Sequence, residues 1–211
     1  GAMVIVNTVV IVQGEFGLTQ RSTAIALAAY GGGSMMAALM LPRILDRVQD
    51  RSTMLAGICL LALGLVSGPL VRDFESLIPL WFVLGLGYSI AQTPGGRLLR
   101  RSSRPEDRPA LFAAQFALSH ACWLITYPLA GWLGATVGLA ATFVVMAAIA
   151  TAAVAAALRF WPSSDPDVVD HHHHGLADDD PHWAEGGHRL GHRHAHGFVI
   201  DELHPQWPRQ G

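Results

Sequence analysis

From Pro109 to Leu158 the chain runs for fifty consecutive residues without an Asp, Glu, Lys or Arg. A helix needs only about 20 apolar residues to cross the hydrocarbon core of a bilayer. The run is long enough for two crossings, and the Gly131–Gly138 stretch supplies a natural break between them. A chain with this feature is predicted to be a polytopic membrane protein, and its function is to be sought in the membrane.

The same reading extends along residues 1–161, predicted as an all-α transmembrane bundle. One short apolar segment, about 1–13, cannot span alone. Five full ones follow at about 22–41, 53–71, 77–94, 109–132 and 135–158, joined by short connections that favour antiparallel neighbours. Arginine placement orients them. Pro42–Arg51 carries Arg43, Arg47 and Arg51, and Gly95–Arg108 carries Arg97, Arg100, Arg101, Arg104 and Arg108. The alternate connections carry one Arg or none. By parity both Arg-rich loops fall on one side, which the positive-inside rule makes cytoplasmic. The tail from residue 162 then lies in the cytoplasm too. Small residues at four-residue spacing (Ala28, Gly32 and Met36 in one stripe with Ala29, Gly33 and Ala37 beside it; Gly64 and Gly68; Ala130, Gly134 and Gly138) predict close helix contacts.

The loop after the second segment reads Leu41-Pro42-Arg43-Ile44-Leu45-Asp46-Arg47-Val48-Gln49-Asp50-Arg51. It resembles the cytoplasmic loop signature of the major facilitator superfamily. Asp46, Arg47 and Arg51 match; Pro42, Gln49 and Asp50 depart from the pattern. The stretch from Gln92 to Arg101 and the Phe112–His120 stretch resemble bacterial efflux members. The resemblance covers about residues 1–160 and implies half of a facilitator fold, the C-terminal six helices. It implies a charge latch at Asp46, Arg47 and Arg51, and an inner-membrane location. It also implies a missing N-terminal six-helix half as partner, with substrate held near the midplane between the halves.

The segment at about 109–132 is the polar one. Gln115, Ser119, Cys122 and Thr126 form one stripe, and Phe116, His120, Trp123 and Tyr127 the next. Polar groups at such depth are costly unless they face a cavity or a partner. Gln115, Ser119, His120, Trp123, Thr126 and Tyr127 are therefore candidates for a transport path. Asn7, Tyr88 and Gln92 join them as secondary candidates, each equally readable as interhelical glue. His120 suits a cation ligand, a proton carrier or a packed hydrogen bond. No span contains an Asp or Glu, so a proton-carrying carboxylate is expected in the missing half.

After Trp161-Pro162 the composition changes. The first part of the chain has eleven Arg against seven acidic residues; the tail has three against nine, with ten of the eleven His. So polar a stretch is predicted to be disordered, because it cannot bury enough apolar surface to order itself. His171, His172, His173 and His174, then His182, then His188, His192, His194 and His196 are candidate ligands for a divalent metal. Their spacing is not that of a closed zinc site, so weak binding at several sites is expected. The segment Phe198–Pro208, with Asp201, Glu202, His204 and Trp207, regains apolar character and is expected either to dock on the bundle or to stay unstructured.

Taken with the histidine-rich tail, the resemblance implies a secondary transporter acting by alternating access, exporting divalent ions such as nickel, cobalt or zinc. Two alternatives stand beside it: export of small organic compounds, and a membrane-anchored metal buffer that transports nothing. The expected partners are membrane lipid and the transported ion or molecule. No cofactor is expected beyond a divalent metal in the tail. An enzyme is not expected, since the chain has no His-Glu-x-x-His, no Gly-x-Ser-x-Gly and no buried carboxylate pair. Nor does it carry a phosphate loop or a basic nucleic-acid face.

Overall fold

The structure is a computed structural model that describes residues 1–163, 166, 168–173, 176–177, 180–185, 189–190 and 193–207. It divides into two compact units, Gly1–Gly95 with Ala114–Ser163 and Gly96–Ala113 with Ser164–Gly211.

The first unit is a helical bundle. Helix α1 (Ala2–Val9) runs on as a π-helical stretch, Val10–Glu15, in which the Phe16 amide donates to the Ile11 carbonyl at 3.0 Å. Gly17, at φ 63°, ends it in the left-handed conformation that costs glycine least. Then come α2 (Gln20–Leu45), α3 (Asp50–Ser67), a 3₁₀ turn (Gly68–Leu70) and α4 (Phe74–Gln92). Asp73 caps α4, accepting from the Ser76 amide at 2.8 Å. Helix α5 (Gly95–Arg101) is short, α6 is Arg108–Thr136 and α7 is Leu139–Phe160. Gly138, at φ 87°, makes the break before α7. Five stretches are long and apolar enough to cross a membrane: Gln20–Leu45, Asp50–Leu70, Phe74–Arg101, Arg108–Thr136 and Leu139–Phe160. Ala2–Glu15 is the shorter apolar helix expected before them.

Helix contacts run through small residues. A Cβ on Gly33 of α2 would collide with the Phe82 carbonyl oxygen of α4, and one on Gly85 of α4 with the Tyr30 carbonyl oxygen of α2. The two backbones therefore approach through a reciprocal pair of glycines, van der Waals packing being what associates helices in lipid. Gly64 meets Leu84, Gly68 meets the Phe143 ring and Gly134 meets the Asn7 side chain. Trp81 sits at the centre, fully buried, its indole edge-on to Phe143 at 6.2 Å and its Nε1–H donating to Thr8 Oγ1 at 2.8 Å.

The second unit carries more order than the tail's composition predicts. Strands β1 (Val168–His172), β2 (Arg189–Leu190) and β3 (Arg193–Gly197) form an antiparallel sheet in the order β1-β3-β2, with a 3₁₀ turn at Pro181–Glu185. What the composition does not reveal is the alternation in Arg193-His194-Ala195-His196-Gly197. His194 and His196 face inward with Val169, Trp183 and Phe198, all five buried. Imidazoles thus do the work of core residues.

Candidate metal cluster and transport face

The β1–β3 register decides which histidines meet. His171 pairs with His194, Val169 with His196, and His172 with Arg193. Successive strand residues point to opposite faces, so the pleat turns His171 and His173 toward the cluster and leaves His172 exposed. The turn at Pro181–Glu185 adds His182, whose amide is held by Asp180 Oδ1 at 2.9 Å. One ring nitrogen from each of His171, His173, His182, His194 and His196 lies within 4.8 Å of all the others. His174, His188 and His192, also candidate ligands from the sequence, lie outside the described residues.

A sixth ring joins them. His204 Nε2 is 3.0 Å from His171 Nε2, and His204 Nδ1 is 2.8 Å from Asp201 Oδ1. Nothing in the spacing of the chain marks His204 as a ligand. It stands alone, eight residues past His196, and its one hint is the acidic pair at Asp201 and Glu202. Closeness in space, not in sequence, makes it part of the cluster. Phe198 closes one side, its ring 5.3 Å from His171 and 4.9 Å from His204. The segment beyond is tied to α5 within the same unit: the Ile200 amide donates to the Arg101 carbonyl at 3.0 Å, and the Arg101 guanidinium lies 5.5 Å from the Trp207 ring centre.

Backbone and carboxylate acceptors orient several rings. Nδ1–H of His171 donates to the Val169 carbonyl at 2.9 Å, and Nδ1–H of His196 to the Gly197 carbonyl at 2.9 Å. His204 donates through Nδ1–H to the Asp201 carboxylate, which burial alone would raise but which hydrogen bonds from the His204 and Leu203 amides and the His204 ring hold below the usual carboxylate range. A neutral imidazole that donates through one nitrogen offers a lone pair at the other. Acceptors on the outer nitrogen are the usual support for a metal-binding histidine. Burial, followed by repulsion from neighbouring imidazoles, pushes His173 and His194 down to about 4. His171 and His204 are lowered as well, burial again being the larger cause. Among the described residues, both ring nitrogens of His194 and Nε2 of His196 are buried without a hydrogen-bond partner. Burial thus holds His171, His173, His194 and His204 toward the uncharged imidazole, and together with the unpartnered ring nitrogens this is an arrangement a borderline-soft cation satisfies.

Arg193 and Asp170 clip the sheet from outside, with Nη2 2.5 Å and Nε 2.7 Å from Asp170 Oδ2.

The polar face of the bundle lies on α6, where Ala130 and Leu133 are the buried residues. Gln115, Ser119, Thr126 and Tyr127 are half-buried; Phe116, His120, Cys122 and Trp123 are exposed. Their rings form a ladder. Phe116 and His120 centroids are 3.9 Å apart, His120 and Trp123 4.6 Å, and Trp123 and Tyr127 stack at 6.1 Å. His120 Nδ1–H donates to the Phe116 carbonyl at 2.8 Å, which leaves Nε2 as the ring's free acceptor. Thr126 returns its hydroxyl to the Cys122 carbonyl. Asn7, buried in α1, donates through Nδ2 to the Ala130 carbonyl at 3.3 Å and so ties α1 to α6. Tyr88 lies beside Tyr30, with ring centres 6.1 Å apart, and Gln92 is exposed at the end of α4. In the Arg-rich loop Asp46 and Arg47 are exposed. Arg51 Nε donates to the Trp161 carbonyl at 3.2 Å, joining the start of α3 to the end of α7. Asp50, buried, occupies the first turn of α3, where the helix dipole favours a carboxylate.

These helices, apolar on their outer surfaces and close-packed through glycine, define an integral membrane protein of the polytopic helical class. A polar and aromatic stripe runs along one weakly covered helix. The chain belongs to the Major Facilitator Superfamily, whose family model it matches over residues 1–192. Proteins of that family are membrane transporters rather than enzymes. No curated protein and no solved structure matches the chain.

Proposed function

We propose that the chain is the C-terminal half of a secondary efflux transporter that exports divalent metal ions by alternating access, with the tail as its cytoplasmic metal-collecting site. The observation that carries the metal reading is the convergence of five histidine ring nitrogens within 4.8 Å of one another. On this reading Gln115, Ser119, His120, Trp123, Thr126 and Tyr127 of α6 line the path, with Asn7, Tyr88 and Gln92 beside them. A second six-helix half covers that face. The uncovered polar stripe supports this, because polar groups in a membrane otherwise face a cavity or a partner. Asp46, Arg47 and Arg51 act as the latch between access states. The Arg-rich loops and the tail face the cytoplasm of a bacterial inner membrane.

A second reading has its own support. The ladder Phe116, His120, Trp123 and Tyr127 offers stacked rings, which suit a small organic cargo as well as an ion. Cells expressing the full-length gene distinguish the two. Under the metal reading, expression lowers cellular nickel or cobalt and raises tolerance, His120→Ala abolishes the effect, and tail deletion weakens it. Tolerance to organic compounds without any change in cellular metal refutes metal export. If tail deletion alone removes metal tolerance and His120→Ala does nothing, the protein is a membrane-anchored buffer.

A further inference from the structure

Three inter-ring contacts run in series through the tail cluster: His204 to His171 at 3.0 Å, His171 to His173 at 3.1 Å and His173 to His182 at 3.0 Å, all between Nε2 atoms. The first cannot be an ordinary hydrogen bond between neutral rings. His171 has its proton on Nδ1, given to the Val169 carbonyl, and His204 has its own on Nδ1, given to Asp201. Two lone pairs therefore confront each other at 3.0 Å, a contact that only a shared cation makes favourable.

The spacing identifies the coordination. For a metal–nitrogen distance of about 2.1 Å, neighbouring ligands are about 3.4 Å apart in a tetrahedron and about 3.0 Å apart in an octahedron, with opposite octahedral ligands at about 4.2 Å. The observed contacts of 3.0, 3.1 and 3.0 Å match octahedral edges. The 4.8 Å limit on the five-ring set leaves room for opposite pairs, which a tetrahedron does not have. Buried ring nitrogens without partners on His194 and His196 supply the remaining corners.

We propose that the tail forms one mononuclear, octahedral, six-imidazole site for nickel(II) or cobalt(II), with His204 as its sixth ligand. This rests on the metal reading of the tail and narrows it from divalent ions in general to those that accept six nitrogen donors. Zinc, which prefers four ligands, fits it less well. Asp201 acts as the positioning residue that holds the His204 lone pair inward, as carboxylates do behind metal-bound imidazoles.

The test uses the full chain in detergent, titrated with nickel(II) and separately with cobalt(II). One equivalent should bind. X-ray absorption should report a shell of six nitrogens, and the cobalt form should show the weak d–d bands of six-coordination. His204→Ala should lose one nitrogen from the shell and weaken binding at least tenfold. Asp201→Asn should weaken binding while keeping all six nitrogens. His172→Ala, on the exposed face of β1, should change neither and so controls for folding. A four-nitrogen shell with intense tetrahedral bands overturns the inference and leaves metal export standing. So does unchanged affinity in His204→Ala. Loss of one equivalent in His172→Ala, or no binding in the wild type, also overturns it. Failure of metal export in cells is a separate result and refutes the underlying reading.

Discussion

Replacing Thr8 by Val tests whether a single polar contact locks α1 to α4. Thr8 Oγ1 accepts from Trp81 Nε1 at 2.8 Å and itself donates to the Val4 carbonyl, and both Thr8 and Trp81 have no exposed surface. Val has nearly the same shape, so no cavity opens and the change isolates the hydroxyl. A buried donor left without its acceptor costs about 1–3 kcal/mol in a protein interior. Within a bilayer, measured side-chain hydrogen bonds average about 0.6 and reach about 1.7 kcal/mol, because the unfolded chain also finds partners there. The complete burial of this pair places it in the upper part of that range, so Thr8→Val should destabilise the bundle by about 1–2 kcal/mol. Equilibrium unfolding in mixed micelles, with dodecyl sulfate as denaturant and helicity as signal, measures it. Trp81→Phe removes the same N–H but also leaves space, so the double variant should cost less than the two singles combined. A Thr8→Val cost under about 0.3 kcal/mol together with strict additivity would refute the argument, and the α1–α4 contact would then be packing alone.

The glycine contact between α2 and α4 makes a second prediction. Gly85→Ala forces a methyl into the Tyr30 carbonyl and should cost about 1–3 kcal/mol, seen as lower thermal stability in detergent, whereas Gly31→Ala, in open space, should be neutral or slightly stabilising. A third concerns pH. His173 and His194 are pushed down to about 4 in the folded tail, against about 6.5 unfolded, so the unfolded chain binds more protons between those values. Stability of the metal-free tail is therefore complete above about pH 6.5 and is lost as pH falls toward 4. Trp183 fluorescence in the full chain should report that transition, and a tail that stays folded at pH 4 would contradict it.

Much of the bundle was legible in the chain because lipid imposes a one-dimensional rule. A span must be apolar and about 20 residues long whatever it packs against. Hence the short first segment and the five long ones appear where the apolar runs lie, and the turn before α7 falls at Gly138, inside the Gly131–Gly138 stretch. Helix α5 did not appear in that reading, since Gly95–Arg101 has the charge of a connection rather than of a span. The small-residue stripes announced contact without naming partners. That Gly33 meets Phe82, and that Gly85 answers it at Tyr30, depends on how two helices cross.

By itself, then, the amino-acid sequence determined that the chain lives in lipid, which loops carry the arginines and where the histidines concentrate. Those properties belong to composition and local runs. Tertiary structure alone decided which imidazoles share a point in space. The β1–β3 register sets His171 opposite His194, the pleat excludes His172, and the returning segment brings His204 across 33 residues to His171. Such convergence arises from strand pairing and chain reversal, and separation along the chain carries no record of it.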